Sequence, residues 1–131
     1  MPRSLDITVP SSKSIANRAL ILAALKPGTT ILKGDFEADD IQIMVRALQQ
    51  MGLHIREKRK ELKIRNTLAW RTDPRKLTLS LGNSGTSMRF LTALCSLRAA
   101  KTLLTGNSRM EQRPIADLVE ALTHLGAEIQ Y

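Results

Sequence analysis

Hydrophobic residues recur along the chain with two different periods. One helical stripe has apolar positions three or four residues apart, and a second stripe repeats it later: Ile41, Met44, Val45, Leu48, Met51, and then Ile115, Leu118, Val119, Leu122, Leu125. Shorter apolar or alternating runs predict strands at 5–9, 29–32, 54–64, 77–81 and 102–105. The region 54–64 is interpreted as two strands joined by a charged turn. Strands interspersed with helices predict a mixed α/β (α+β) fold.

Polar residues, glycine and proline predict where the helices begin and end. The first helix is expected from about Ser12 to Leu25, with Ser11 or Ser12 as its N-cap and Lys26-Pro27-Gly28 ending it. It is apolar nearly all round after its first turn, which predicts a largely buried helix. Acidic residues at 37–40 open the second helix, and Gly52 follows it.

The second half of the chain is expected to follow the same order. A glycine-containing turn at 82–89 leads into a third helix from Phe90 to about Leu97. A polar loop at 107–113 precedes a fourth helix, in which Pro114 takes the first position and which ends near Gly126. Residues 127–131 are expected to begin a final strand.

The two halves of the chain share an internal sequence repeat. Residues 46–55 match 120–129 at an offset of 74, and Arg18 corresponds to Arg89 at an offset of 71. We therefore predict duplicated βαβαββ units within one domain, 1–131, with unit one at about 5–70 and unit two at about 76–131. The second unit stops where the first continues into its last hairpin, so the sequence is interpreted as a portion of a longer chain.

Composition narrows the class of ligand. The 131 residues carry a net charge of +8, which favours an anionic partner, and contain one cysteine, which cannot form an internal disulfide. No apolar run has the length of a membrane span. Aromatic residues make up 3% of the chain, too few for the stacking surfaces of a single-strand nucleic-acid binder. The basic stretch Arg56–Arg65 is interpreted as a solvated hairpin, with a nucleic-acid patch as the alternative.

Two helix starts carry cations where the helix dipole favours anions. Lys13, Ser14 and Arg18 surround the first start, and Arg89 follows the second, where Gly85 permits close approach of a ligand. Such conflicts occur mainly at functional sites, so both turns are candidates for binding phosphate or carboxylate.

Other polar residues have weaker signals. Arg109 and Arg113 could present guanidinium groups to the same anion or could be solvated. Cys95 is interpreted as a buried structural thiol and His124 as a helix-end residue, while His54 has no metal-ligand spacing to another residue.

Three segments make the family recognisable. Residues 10–18 (PSSKSIANR), 81–91 (LGNSGTSMRFL) and 104–115 (LTGNSRMEQRPI) resemble the signatures of 5-enolpyruvylshikimate-3-phosphate synthases, in the same order. The resemblance covers essentially the whole chain and identifies it as an N-terminal portion of such an enzyme. It implies part of one domain of the inside-out barrel of enolpyruvyl transferases, whose substrates bind between two domains.

The same resemblance implies a reaction and a set of contacts. The family transfers the enolpyruvyl group of phosphoenolpyruvate to the 5-hydroxyl of shikimate 3-phosphate, in the cytoplasm, without metal or other cofactor. It implies shikimate 3-phosphate binding by Lys13, Ser14 and Arg18. It also implies phosphoenolpyruvate binding by Lys13, Gly85 and Arg113. Three supporting residues would shape that pocket: Asn83, Thr86 and Arg89.

The resemblance also implies what this chain lacks. The acid and base residues are expected in the other domain, so no catalytic residue is assigned here and the chain alone is expected to have negligible turnover. The remainder of the enzyme is expected as a covalent or complementing partner.

Two alternatives stay open at this point. The related UDP-N-acetylglucosamine enolpyruvyl transferase shares the architecture, but its reactive cysteine is expected in a loop, whereas Cys95 is expected in a helix. A small basic nucleic-acid-binding domain that uses Arg56–Arg65 is the alternative from another class; neither nucleic acid nor membrane is the expected partner.

Overall fold

The computed structural model describes Val9 and residues 11–131, and it is a mixed α/β fold as predicted. Most of the predicted strand at 5–9 lies outside the described residues. The helices are α1 Lys13–Leu25, α2 Asp39–Met51, α3 Gly85–Cys95, α4 Ser108–Glu111 and α5 Ala116–His124, with one 3₁₀ turn at Ala69–Arg71. The strands are β1 Gly28–Lys33, β2 His54–Glu57, β3 Glu61–Asn66, β4 Leu77–Ser80 and β5 Thr102–Thr105.

The strands form two small sheets. In the first, β3 lies between β1 and β2 and pairs antiparallel with both. In the second, β4 and β5 pair in parallel, as expected for strands joined through a helix. Apolar side chains from α1, α2, α3 and both sheets form one core; its fully buried members include Leu20, Ile41, Met44, Leu48, Leu62, Ile64, Leu79 and Leu91. Of the helices in the described part of the chain, none has the length and apolarity needed to cross a membrane.

The two stripe helices end in the same local geometry. Gly52 after α2 has φ 113° and Gly126 after α5 has φ 97°. The Leu53 N–H donates to the Leu48 carbonyl at 3.1 Å, and the Ala127 N–H donates to the Leu122 carbonyl at 3.0 Å. This is the hydrogen-bond pattern of a glycine-terminated helix. It supports the 74-residue repeat locally, while the division into two units remains a prediction.

The prediction that α1 is largely buried is wrong. The side chains of Ile15 and Leu22 are 71% and 66% exposed, and Leu25 is 45% exposed. The helix packs against α2 and α3 through one face, which includes the small residues Ala16 and Ala23. Nothing in the described part of the chain covers the opposite face, so apolar composition alone overestimated burial.

The third helix begins five residues earlier than predicted. Ser84 is its N-cap, because the Ser84 hydroxyl accepts a hydrogen bond from the Ser87 N–H at 3.3 Å. The cap places Gly85 at the first helical position and Arg89 in the second turn rather than the first. Gly85 is therefore helical, and the part of the predicted turn from Gly85 to Arg89 belongs to α3.

The segment before α5 also differs from the prediction. Residues 107–113 contain the short helix α4, because Asn107 accepts a hydrogen bond from the Met110 N–H at 3.0 Å and Met110 is buried. The fifth helix begins at Ala116, so Pro114 precedes it instead of taking its first position. Residues 127–131 form no strand, since none of the described strands pairs with them.

A buried asparagine anchors the far end of α1. The Asn66 amide donates to the carbonyls of Ala23, Ala24 and Lys26 at 3.1, 2.7 and 3.1 Å. Its oxygen accepts from the Leu68 N–H at 2.9 Å. These bonds satisfy carbonyls that a helix C-terminus leaves free, and they fix α1 relative to β3.

A buried arginine holds the connection into β4. The Arg98 guanidinium is fully buried and donates to the carbonyls of Trp70 and Arg75 at 3.3 and 2.9 Å. The Asp73 carboxylate lies 4.0 Å away. Sequence analysis missed both Arg98 and Asn66, because polar residues at the ends of apolar segments are usually exposed.

Candidate functional site

The start of α1 presents a cationic and hydroxyl-bearing surface. Ser12 is the N-cap, as predicted, and its hydroxyl accepts from the Ile15 N–H at 3.3 Å. Lys13 takes the first helical position and is exposed, with no acidic residue in that turn. Arg18 bends back over this turn, donating to the Ser14 carbonyl at 3.1 Å and to the Ser14 hydroxyl. The arrangement holds one guanidinium against the Ser14 hydroxyl in the first turn of a helix, a combination of donors suited to phosphate.

An aromatic contact links this surface to α3. The Arg18 guanidinium carbon lies 5.4 Å from the centroid of the Phe90 ring, within cation–π range. Phe90 directly follows Arg89 in α3. The two cationic helix regions found in the sequence therefore lie on helices that contact each other.

Two arginines lie over the start of α3. An ideal Cβ on Gly85 would overlap the Arg113 Nη1 atom and approach the Arg89 Nη1 atom to 3.2 Å. Arg89 also donates to the Gly85 carbonyl at 3.3 Å and to the Pro114 carbonyl at 3.1 Å. The missing side chain of Gly85 thus leaves room for both guanidinium groups beside the first α3 amides.

Within the part of the chain that the structure describes, no carboxylate forms an ion pair with this cluster. The ion pairs among the described residues both use Asp73, which binds Arg75 at 2.7 Å and lies 4.0 Å from Arg98. No ion pair in Val9 and residues 11–131 uses Arg89 or Arg113, so both add positive charge to the positive end of a helix. A bound anion with several oxygens is the natural complement of such a cluster.

The polar residues around Gly85 divide into exposed and structural groups. Asn83 and Thr86 are exposed beside the arginines. Ser84 and Ser87 are buried, and the Ser84 hydroxyl donates to the Ser87 hydroxyl at 2.9 Å. The buried pair holds the turn in place and leaves the exposed pair free to contact a ligand.

Asn17 is a buried polar residue that sequence analysis missed. Its side chain is 1% exposed, and its Oδ1 atom accepts no hydrogen bond in the described structure. A buried polar atom left without a partner costs about 1–3 kcal/mol. An asparagine within an otherwise apolar helix, between Ala16 and Arg18, was the signal available in the sequence.

The remaining candidates do not form a second centre. Desolvation raises the pKa of the Cys95 thiol to about 11, partly offset by Arg98 and a hydrogen bond with Thr102, so the thiol is protonated near neutral pH. Cys95 is half-buried in α3, so its position differs from the loop expected for the reactive cysteine of the sister enzyme, and its structural role stays a prediction. Within Val9 and residues 11–131, no three His, Cys, Asp or Glu side chains group closely enough to hold a metal.

The basic hairpin is solvated, as expected. The register places Arg56 opposite Lys63 and His54 opposite Arg65, and all four side chains are exposed. Arg109 is exposed on α4, and His124 is the last residue of α5.

Comparison with known proteins gives one consistent answer. The family model for EPSP synthase (3-phosphoshikimate 1-carboxyvinyltransferase) matches residues 3–131. Curated proteins named 3-phosphoshikimate 1-carboxyvinyltransferase from Shewanella woodyi and Shewanella sp. are each 45% identical, over 127 and 133 residues, covering 95% and 96% of this chain. The chain spans about 30% of the length of these relatives.

Solved structures agree with the sequence comparison. Two structures of EPSP synthase from Acinetobacter baumannii superpose with TM-scores of 0.85 and 0.79, at 32% and 31% identity. Each match covers 95% of this chain and 28% of the other chain. The family match, the curated relatives and the shared fold together show that this chain belongs to the EPSP synthase (3-phosphoshikimate 1-carboxyvinyltransferase) family.

Proposed function

We propose that this chain provides part of the substrate site for enolpyruvyl transfer from phosphoenolpyruvate to the 5-hydroxyl of shikimate 3-phosphate. The observation that carries the proposal is the pair of guanidinium groups, Arg89 and Arg113, over the side-chain-free Gly85; neither forms an ion pair within the described residues. Both reactants are phosphorylated carboxylates, which match a cluster of cations at helix starts. A cytoplasmic location belongs to the same proposal.

Shikimate 3-phosphate is assigned to the α1 surface. Ser14 and Arg18 are already joined by hydrogen bonds, so the guanidinium is held in place before a ligand arrives. Lys13 stands beside them at the first helical position and can contact both reactants. Fixing the donors in advance reduces the entropy lost when a phosphate binds.

Phosphoenolpyruvate is assigned to the α3 surface. Arg113 and the amide at Gly85 would hold its anionic groups, with Asn83, Thr86 and Arg89 shaping the pocket. Two unit charges 4 Å apart repel by about 4 kcal/mol near a protein surface. Cations placed between the two reactants offset that repulsion and allow them to approach.

The reaction requires a proton at the methylene carbon of phosphoenolpyruvate and removal of a proton from the attacking 5-hydroxyl. The hydroxyl oxygen bonds to the central carbon; the new methyl group then loses a proton as phosphate leaves, which forms the enol ether. No residue of this chain is assigned to any of these proton transfers. The acid and base groups are assigned to the remainder of the enzyme, joined covalently or as a complementing partner, so the chain alone is expected to have negligible turnover.

The test is a nuclear magnetic resonance titration of the 131-residue chain with shikimate 3-phosphate and phosphoenolpyruvate. We expect shikimate 3-phosphate to shift amides at 12–15 and phosphoenolpyruvate to shift amides at 85–88. Lys13→Ala should weaken both ligands, whereas Lys26→Ala, at the other end of α1, should weaken neither. Arg113→Ala should weaken phosphoenolpyruvate alone, with exposed Arg46→Ala as its control. Equal effects of the site and control variants, or shifts spread over unrelated surfaces, would overturn the proposal.

A further inference from the structure

The outer face of the first sheet carries a cluster of basic side chains. Apolar residues of β3 are buried against the helices, so the residues that alternate with them point away from the core. These outward residues are Lys63 and Arg65, and the register places Arg56 and His54 of β2 opposite them. All four side chains are exposed. These four residues are called the basic face below.

The hairpin turn between β2 and β3 adds to the basic face. It contains three consecutive cations, 58–60, and all three are exposed. Residues 54–65 hold six lysines and arginines and two glutamates, a net charge of +4, which is half of the +8 of the whole chain. One of the glutamates, Glu57, accepts a hydrogen bond from the Gln42 side chain of α2 at 3.1 Å. Its carboxylate is therefore held towards the helices, away from the basic face.

Two local features oppose this concentration of positive charge. Arg56 and Lys63 lie directly opposite each other on antiparallel strands, where like charges destabilise the pair. Arg59 has φ 55°, a left-handed conformation that hairpin turns usually reserve for glycine or asparagine. Such departures from local preference occur mainly at functional sites. Both departures raise the positive charge of one surface, which indicates that this surface binds an anion.

The basic face is separate from the proposed substrate surfaces. Those surfaces lie at the starts of α1 and α3, and the inner side of the sheet packs against α1 and α2. The side chains of the basic face point away from these helices. Enolpyruvyl transfer as proposed above therefore uses none of this charge.

The chemistry of the face distinguishes between classes of partner. Protein interfaces have an apolar or aromatic centre and are depleted in lysine, whereas the apolar side chain that the described outer face offers is Ile31, 52% exposed. Single-stranded nucleic acid requires aromatic side chains for base stacking, and none of the four aromatic residues lies within 28–33 or 54–66. The phosphates of a duplex require only closely spaced cations. A nucleic-acid duplex is therefore the partner that fits this surface.

We propose that the basic face and the adjoining turn bind the sugar-phosphate backbone of a nucleic-acid duplex without reading its sequence. Arg56, Lys63 and Arg65 contact phosphates, and the turn at 58–60 supplies further cations. Phosphates placed between Arg56 and Lys63 remove the repulsion between these two side chains. This property is independent of enolpyruvyl transfer and uses no residue assigned to a substrate.

The first experiment titrates the 131-residue chain into fluorescein-labelled 20-base-pair duplexes, one sequence as DNA and as RNA, and a scrambled DNA of the same composition. We expect saturable binding by fluorescence anisotropy in 50 mM KCl, with equal affinity for the two DNA sequences. Neutralising four to six phosphates predicts a slope of about −3.6 to −5.4 in a plot of log K against log salt. Affinity for DNA should therefore fall by at least about 100-fold between 50 and 200 mM KCl.

A matched pair of double variants tests the location. Lys63→Gln with Arg65→Gln removes two charges from the basic face, and Lys76→Gln with Lys101→Gln removes two exposed charges next to the second sheet. The first variant should reduce the salt slope by about 1.8 and weaken binding at least about 10-fold in 50 mM KCl. The second should leave the slope unchanged. Duplex binding should shift amides at 54–65.

Lys63→Glu separates binding from folding. It places a carboxylate opposite Arg56, which replaces a repulsive cross-strand pair by an attractive one. The Tm should rise by about 1–4 °C while duplex binding is lost. A loss of binding through damage to the fold would instead lower the Tm.

Four results would overturn the inference. They are equal effects of the two double variants, amide shifts at 12–15 and 85–88 in place of 54–65, tighter binding of a 20-nucleotide oligothymidine than of either duplex, and no binding of either duplex in 50 mM KCl. Displacement of the duplex by polyglutamate at an equal concentration of charge would also contradict it and would indicate an acidic protein partner. None of these measurements contains a substrate, so their failure would leave the ligand titrations unaffected.

Discussion

Gly85→Ala tests the proposed phosphoenolpyruvate site with a single methyl group. The new Cβ would overlap the Arg113 Nη1 atom and stand 3.2 Å from the Arg89 Nη1 atom. Both neighbours are ends of flexible side chains, so the backbone need not move. The variant should therefore fold normally and lose its guanidinium geometry.

The magnitude follows from the geometry. To reach ordinary van der Waals separation from the methyl group, the Arg113 guanidinium must move by about 1 Å. Losing one charge-assisted hydrogen bond to a ligand costs about 1.5–3 kcal/mol, or about 10- to 150-fold in affinity. Stability should move the other way, because alanine is favoured over glycine in helices by up to about 1 kcal/mol.

The assay compares two ligands on one variant. We expect phosphoenolpyruvate affinity to fall by the stated factor, while shikimate 3-phosphate, assigned to the α1 surface, binds as before. Gly126→Ala is the control with the opposite pattern: its φ is 97° and nothing lies within 4 Å of its Cβ position. That variant should lose about 1 kcal/mol of stability and keep its ligand affinity.

The reasoning would be refuted in either of two ways. Gly85→Ala could bind phosphoenolpyruvate as tightly as the parent, which would show that Arg113 does not contact it. It could also lose both ligands equally with a lowered Tm, which would show that the methyl group disturbs the fold instead of one contact.

Three further predictions concern stability and reactivity. Asn66→Ala removes three donated hydrogen bonds at the end of α1 and one accepted from Leu68; it should lower the free energy of unfolding in urea by about 3 kcal/mol, with no such loss for exposed Asn83→Ala. Hydrogen bonds from the Arg75 side chain and backbone lower the pKa of Asp73 to about 2. The stabilising contribution of the Asp73 carboxylate is therefore present above about pH 4 and lost as the pH falls towards 2. Asp73→Asn should reduce the difference in Tm between those two pH values. The same difference in the variant and the parent would contradict this. Because burial raises the pKa of the Cys95 thiol to about 11, Ellman's reagent at pH 8 should modify it far more slowly than free cysteine, and an equal rate would refute that pKa.

The sequence alone was sufficient for most secondary structure. Helical stripes located α2 and α5, and short apolar runs bounded by polar residues or glycine located β3 and β5, because helix and strand patterns differ strongly. The Ser12 cap and the glycine after each stripe helix followed from local chemistry that needs no tertiary contact. Errors occurred where side-chain caps changed the boundary, at Ser84 and Asn107.

The burial of individual side chains, and the contacts between residues far apart in the sequence, depended on the tertiary structure. Hydrophobicity could not show that Leu22 faces outward, because exposure depends on which face of α1 has neighbours. Nor could local patterns show that Asn66 and Arg98 are buried, since the backbone carbonyls to which they donate lie 23–43 residues away in the chain.

Some features of the candidate site also followed from local sequence, while others depended on tertiary packing. Motif and charge placed cations beside two helix starts, because helix dipoles and glycine conformations are local properties. The packing of α1 against α3 decided that Arg18 reaches the ring of Phe90. The segment before α5 decided that Arg113 lies over Gly85, 28 positions earlier in the sequence. Such contacts depend on how distant segments pack together, which no single stretch of residues specifies.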